Sequence, residues 1–227
     1  MDYLQNNYNQ VKARISHAEK RFHRSPASVS LLAVSKTKPI EMVNALAETG
    51  QKAFGENYLQ EALEKIAQRP DLEWHFIGPI QSNKTKPIAE HFDWVESVDR
   101  LKIAQRLSDQ RPSVKPALNI LLQVNISQED SKSGFLPDEV LLVAQQISKL
   151  PGLVIRGLMA IPKAETEFEQ QRSAFKQMQT LFKQLQSELD SDQIDTLSMG
   201  MSADLEAAIA EGSTQVRIGT DLFGARL

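Results

Sequence analysis

The sequence predicts an α/β protein: a single (β/α)8 TIM barrel with one extra N-terminal helix, residues 1–227 forming one domain. Three observations carry this. Short apolar runs alternate with helical periodicity from end to end. The fifth and sixth runs, ALNILLQVNI and LVIRGLMAI, have the β-branched and leucine-rich character of parallel strands covered on both faces. No Gly/Ser-rich linker, low-complexity tract or fixed-period repeat divides the 227 residues, a length near the ~200–250 that such barrels occupy. The rival architecture, an open doubly wound sheet, lacks support because no G-x-G-x-x-G follows the first strand.

Leu4, Tyr8, Val11, Ile15, Ala18 and Phe22 recur at steps of four and three, so residues near 2–23 form a helix whose apolar stripe covers one flank of the core. After the turn signal Ser25-Pro26, the run Val29, Leu31, Leu32, Ala33 and Val34 reads as a strand. Pro39 is placed to open the next helix, Met42, Val43, Leu46 and Ala47 give it an inward face, and Gly50 closes it. Further strands are expected near 52–55, 73–77, 93–98, 117–126, 153–161, 195–199 and 215–219, with helices near 57–67, 83–91, 99–109, 137–149, 165–189 and 203–211. In the longest of these, Phe168, Phe175, Met178, Phe182, Leu185 and Leu189 share one face and read as core.

Composition excludes several classes. Lysine plus arginine number 26 against 29 acidic residues, a net charge of −3, which disfavours bulk nucleic-acid binding. The absence of cysteine rules out a disulfide scaffold, a thiolate metal site and a cysteine nucleophile. His17, His23, His75 and His91 are scattered without metal-ligand spacing, so no metal is expected. The N-terminus lacks the apolar core of a secretory signal and no run is long enough to span a bilayer, so a soluble cytoplasmic protein is expected.

Barrel chemistry sits at the C-terminal ends of strands. Lys36 closes the first strand, where an apolar wall can favour the neutral amine and make it a nucleophile toward a carbonyl; a solvated side chain is the plainer alternative. The segments after strands seven and eight suit an anion: Gly200 and Gly219 admit close backbone approach, Ser202 is a good helix N-cap and Thr220 adds a hydroxyl. Tight turns alone would also explain the glycines. Asp204 would repel a phosphate unless it points away. Arg217 needs an acceptor inside the barrel, either an ion pair with an acid such as Asp221, which position favours, or a ligand's ring nitrogen or phosphate. Asn57 could orient a ligand or cap the following helix, and Lys84 and Lys86 form a small basic patch that could attract a second phosphate.

The motifs LLAVSKTKP, FGENYLQEALEK, WHFIGPIQSNK, SKSGF, GLMAIP and LSMGMSADLEAAIAEGSTQVRIGTDLFGAR, in this order, resemble the YggS/PROSC family of pyridoxal phosphate homeostasis proteins, which is similar to the N-terminal barrel of alanine racemases. The resemblance implies a fold-type III barrel binding pyridoxal 5'-phosphate (PLP), with Lys36 carrying the cofactor as a Schiff base. It implies Ser202, Gly219 and Thr220 at the phosphate, Met199, Gly200 and Met201 contributing backbone contacts, Arg217 facing the pyridine nitrogen, and Asn57 beside the cofactor. A guanidinium only donates, so the ring nitrogen would stay unprotonated and the cofactor would be a weaker electron sink. No second acid/base for racemisation is evident, and the sequence stops at Leu227 without a racemase-like second domain. The expectation is a monomeric PLP carrier that buffers or delivers the cofactor, with PLP-dependent apoenzymes as acceptors and effects on amino-acid metabolism; weak racemase-like activity is the enzyme alternative, and a barrel for another phosphorylated metabolite ranks last.

Overall fold

The alternation read from the sequence closes on itself. The computed structural model describes residues 2–129 and 131–224, so Met1, Asp130 and 225–227 of the expected domain lie outside the described residues. The strands are β1 (Ser30–Val34), β2 (Ala53–Glu56), β3 (Glu73–Phe76), β4 (Trp94–Val98), β5 (Leu118–Val124), β6 (Leu153–Ala160), β7 (Thr196–Ser198) and β8 (Gln215–Ile218). They form one closed parallel barrel in sequence order. The seam is β1 on β8, with Leu32 opposite Arg217 and Ala33 opposite Ile218. Around it lie α1 (Asp2–Arg21), α2 (Ile40–Ala47), α3 (Leu59–Gln68), α4 (Thr85–His91), α5 (Leu101–Gln110), α6 (Val140–Ile147), α7 (Phe168–Leu189), α8 (Leu205–Ala210) and α9 (Thr220–Phe223).

Each expected helix is present with ends moved by a few residues. Pro39 stands one place before α2 in extended backbone rather than at its first helical position, and Gly50, at φ +98, ends the turn that follows. The helix expected from residue 83 begins as a 3-10 turn, Ser82–Lys84, before α4. The four-residue α9 is too short for periodicity to reveal. Along α1, Leu4, Val11, Ile15 and Ala18 are buried, as the stripe requires, while Tyr8 and Phe22 pack at the edge of the core. In α7, Phe175, Met178, Phe182 and Leu185 are buried, with Phe168 and Leu189 at the margin.

Where β6 meets β7, Gly157 has φ +146, and a Cβ there would sit 1.9 Å from Thr196 O and 2.9 Å from Phe182 Cε2. The β5–β6 register shifts between Ile120 and Leu121, opposite this glycine. Gly157→Ala therefore combines backbone strain with a main-chain clash and is expected to cost about 3 kcal/mol or more in denaturant-unfolding free energy; a loss below about 1 kcal/mol would show that β6 shifts freely against β7.

Candidate functional site

A cavity of about 300 Å³ opens at the C-terminal end of the barrel, and Lys36, Asn57, Met201, Ser202, Arg217, Gly219 and Thr220 all line it, with Val34, Ile77, Met159 and Ile161 as its apolar wall. Met199 and Gly200 stand behind that wall. The backbone of Met199 is spent inside the fold, its N–H on Gln215 O at 3.1 Å and its carbonyl accepting from Ser213 Oγ at 2.7 Å. Gly200 has φ +96, and a Cβ on it would lie 2.6 Å from Ala208 Cβ, so its bare backbone lets the β7 exit pack on α8.

Lys36 is presented by a strained turn. Thr37, a β-branched residue, has φ +62, a conformation costing about 1–3 kcal/mol that persists only where neighbours enforce it. The enforcing groups come from β2 and α3. Glu61 Oε1 accepts the Thr37 N–H at 2.7 Å, Lys65 Nζ donates to Ser35 O at 2.8 Å, and Ser35 Oγ donates to Glu56 Oε1 at 2.6 Å. Lys65 also bridges Glu56 at 2.7 Å and Glu61 at 2.6 Å. Both peptides flanking Lys36 are thus held by one cluster, in which burial pushes the Glu56 carboxyl up while Lys65 pulls it back. The neighbouring Lys38 reaches away, donating to Phe223 O at 3.3 Å and Gly224 O at 3.2 Å.

The opposite wall is built by the exits of β7 and β8. The N-cap of α8 is Asp204, not Ser202 as the sequence suggested, and this leaves Ser202 on the cavity wall. Asp204 turns onto the Met201 N–H at 2.7 Å and is absent from the wall; burial raises its carboxyl above the usual range, with that N–H and Arg217 opposing. The expected Arg217–Asp221 pair does not form. Asp221 is taken by Arg14 of α1 at 2.6 Å, and Arg14 also grips Glu206 at 3.0 Å and Ser202 O at 3.1 Å. Asn7 Nδ2 donates to Leu222 O at 2.9 Å, so α1 fastens both anion-side loops. Arg217 instead donates to Ser198 O (2.8 Å), Ser198 Oγ (2.7 Å) and Ala160 O (3.0 Å). Burial lowers its guanidinium below the ordinary value, and Glu96 and Asp204 are the charges that oppose this. In α9 the Leu222 and Phe223 N–H groups return to Gly219 O at 3.1 and 2.9 Å, so an anion at this corner would meet the N–H groups that come before them.

The alanine racemase N-terminal domain family matches residues 2–227. A Pseudomonas aeruginosa protein named pyridoxal phosphate homeostasis protein is 57% identical over 228 residues, covering 100% of this chain and 97% of its own. The chain belongs to the pyridoxal phosphate homeostasis protein family. Among solved structures, PipY of Synechococcus elongatus with PLP bound is 36% identical, covering 92% of this chain and 100% of that one at a TM-score of 0.78. Clostridium difficile alanine racemase, at 15% identity and TM-score 0.75 over 57% of its length, shares the barrel fold.

The cavity fits the ligand in that family's name on observations of its own. Asn57 lines the cavity, and its amide oxygen is buried without a hydrogen-bond partner, a polar group the fold alone leaves unsatisfied. Asn57 caps no helix through its side chain, since the residue before α3 is Tyr58 and makes no such bond. A Cβ on Gly78 would sit 2.2 Å from Asn57 O, so the F-G-E-N and F-I-G-P motifs meet backbone to backbone and set the Asn57 main chain. Lys84 lines a neighbouring surface depression with Tyr58 and Gln81, while Lys86 faces Glu90 at 3.8 Å. Glu61, Lys65, Arg14, Ser198 and Glu96 escaped the sequence reading. The available signals were charged residues at apolar-strand positions, Glu56 in AFGE and Glu96 in WVESV.

Replacing Lys65 with methionine strands the Glu56 carboxylate without its cation, and a loss of about 3–5 kcal/mol in unfolding free energy is expected near neutral pH. Without Lys65 the Glu56 value rises further above its unfolded one, so the penalty grows as pH rises through that interval and shrinks as pH falls and the carboxyl takes up its proton. Denaturant titrations of both proteins across pH check this; a pH-independent gap would remove Glu56 from the explanation.

Proposed function

We propose that this chain binds PLP at the barrel mouth, holds it through Lys36, and serves intracellular vitamin B6 homeostasis by buffering or delivering it. The observation that carries the reading is that Lys36, Arg217 and the Ser202/Gly219/Thr220 corner, far apart in sequence, line one cavity. When bound, PLP supplies an aldehyde that condenses reversibly with a primary amine, releasing water, so that a second amine can displace the first.

The chain's own groups favour holding over turnover. Ser202, Thr220 and the N–H groups opening α9 would bind the phosphate. Arg217 would present a donor to the ring nitrogen, and because a guanidinium only donates, that nitrogen would stay an unprotonated acceptor and carbanion chemistry would be weakly supported. Asn57 would orient the ring edge. Residence as a monomer in the cytoplasm and transfer to PLP-dependent apoenzymes complete the reading. The racemase-like fold keeps a slow enzymatic activity as the second reading, for which Lys36-dependent solvent deuterium exchange at the α-carbon of a small amino acid is the discriminating signal.

The purified protein with PLP should show a visible absorbance band that disappears on borohydride reduction, with the phosphopyridoxyl mass on the Lys36 peptide. Lys36→Ala should abolish the adduct while circular dichroism is unchanged. A reduced adduct persisting elsewhere in that variant, for example on Lys38, would overturn the assignment.

A further inference from the structure

Layers of apolar side chains normally fill a barrel of this type, yet a line of polar groups crosses this one from end to end. At the mouth, Arg217 Nη1 donates to Ser198 Oγ at 2.7 Å. Ser198 Oγ meets Glu96 Oε2 at 2.7 Å, Glu96 Oε1 meets His75 Nδ1 at 2.7 Å, and His75 Nε2 meets Glu73 Oε1 at 3.1 Å. Exposure is 4% or less for Arg217, Ser198, Glu96 and His75, whereas the Glu73 side chain, at the N-terminal end of β3, is 49% exposed.

Donor accounting fixes the protons. Arg217 and the Gln215 Nε2 group, 3.1 Å away, both donate to Ser198 Oγ, so the serine hydroxyl must donate to Glu96. Gln215 Nε2 also donates to Glu96 Oε1 at 2.7 Å, which leaves Glu96 an acceptor on both oxygens and His75 Nδ1 a donor. Burial alone would drive the His75 imidazole neutral; its bonds to Glu73 and Glu96 outweigh that and raise its value. Burial likewise opposes the Glu96 carboxylate, and His75, Arg217 and Ser198 bring it below the usual range.

We propose that His75, Glu96 and Ser198 are positioning residues for Arg217, forming a relay through which protonation of His75, reached from the Glu73 end of the barrel, sets the pull on the guanidinium at the mouth. The charges around His75 are Glu73 on its own strand, Glu96 on β4 and Arg217 on β8 beyond Glu96; Arg156 on β6 lies 4.8 Å over Trp94, whose ring stacks on His75 at 5.1 Å, and is itself paired with Asp195. With His75 protonated, Glu96 is shared between two cations. Once the proton leaves, Arg217 is, among the described residues, the one cation left facing Glu96, is drawn toward it, and the cavity becomes less positive. The relay belongs to the unloaded protein; only its consequence for the ligand rests on the PLP reading.

Isotope-edited NMR of unloaded wild-type protein tests the relay without any variant: the Arg217 side-chain resonance should titrate with the midpoint of His75. Glu73→Gln removes a group that raises the His75 value and should move both midpoints together to lower pH. An Arg217 signal indifferent to the His75 titration overturns the proposal. With PLP, wild type should bind about fivefold more tightly than Glu73→Gln at pH values between the two midpoints and equally outside them, because coupling is reciprocal. Equal affinity throughout would remove the link to the ligand. Should PLP fail to load at any pH, the proposed function falls, and the unloaded titration still decides the relay.

Discussion

The carboxylate of Glu96 is the group around which the barrel interior is arranged. A carboxylate at 0% exposure is costly unless hydrogen bonds and opposite charge meet its oxygens. Its partners come from three other strands: His75 of β3, Ser198 of β7 and Gln215 of β8. They tie together the part of the barrel where backbone pairing is thinnest, since β7 has three residues and meets β8 in register only at Ser198 and Gln215. The same cluster receives Arg217, which could not otherwise lie at 4% exposure beside apolar Met159 and Val34. One buried anion thus supports both the closure of the sheet and the cation at its mouth.

A second buried cluster does the corresponding work for Lys36. Glu56, Glu61 and Lys65 hold the peptides on either side of it and keep Thr37 in a conformation its side chain disfavours. A strained turn held from below makes the lysine's position a property of the fold rather than of a free loop. On the anion side, α1 supplies the equivalent support through Arg14 and Asn7. The N-terminal helix is therefore both a cover for the core and a brace for the two loops that would hold a phosphate.

Much of this was legible in advance. Eight strands and their helices follow from hydrophobic period, because burial on both faces leaves parallel strands no polar positions to spare except at functional or network sites. That Lys36, Asn57, Arg217 and Thr220 would line one cavity was legible for the same reason, since they sit where barrel geometry points side chains into the mouth. The partner of Arg217 was not. Asp221 is four residues away in sequence, yet Arg14, more than two hundred residues earlier, reaches it first, while the true counter-charge, Glu96, lies at the middle of a different strand. Likewise Ser202 has the chemistry of a helix cap, but Asp204 holds the place.

The sequence by itself determined the alternation, the inward faces and the chemical types at the strand ends, since these depend on local period and on the residues' own propensities. Which side chains meet across the barrel was decided only by closure of β1 on β8, which brings residues from four strands within hydrogen-bond distance. Periodicity says which face a residue occupies; it carries no information on how the register of eight strands places Glu96 against His75 and Ser198, and it is that register which gives the buried charges their partners.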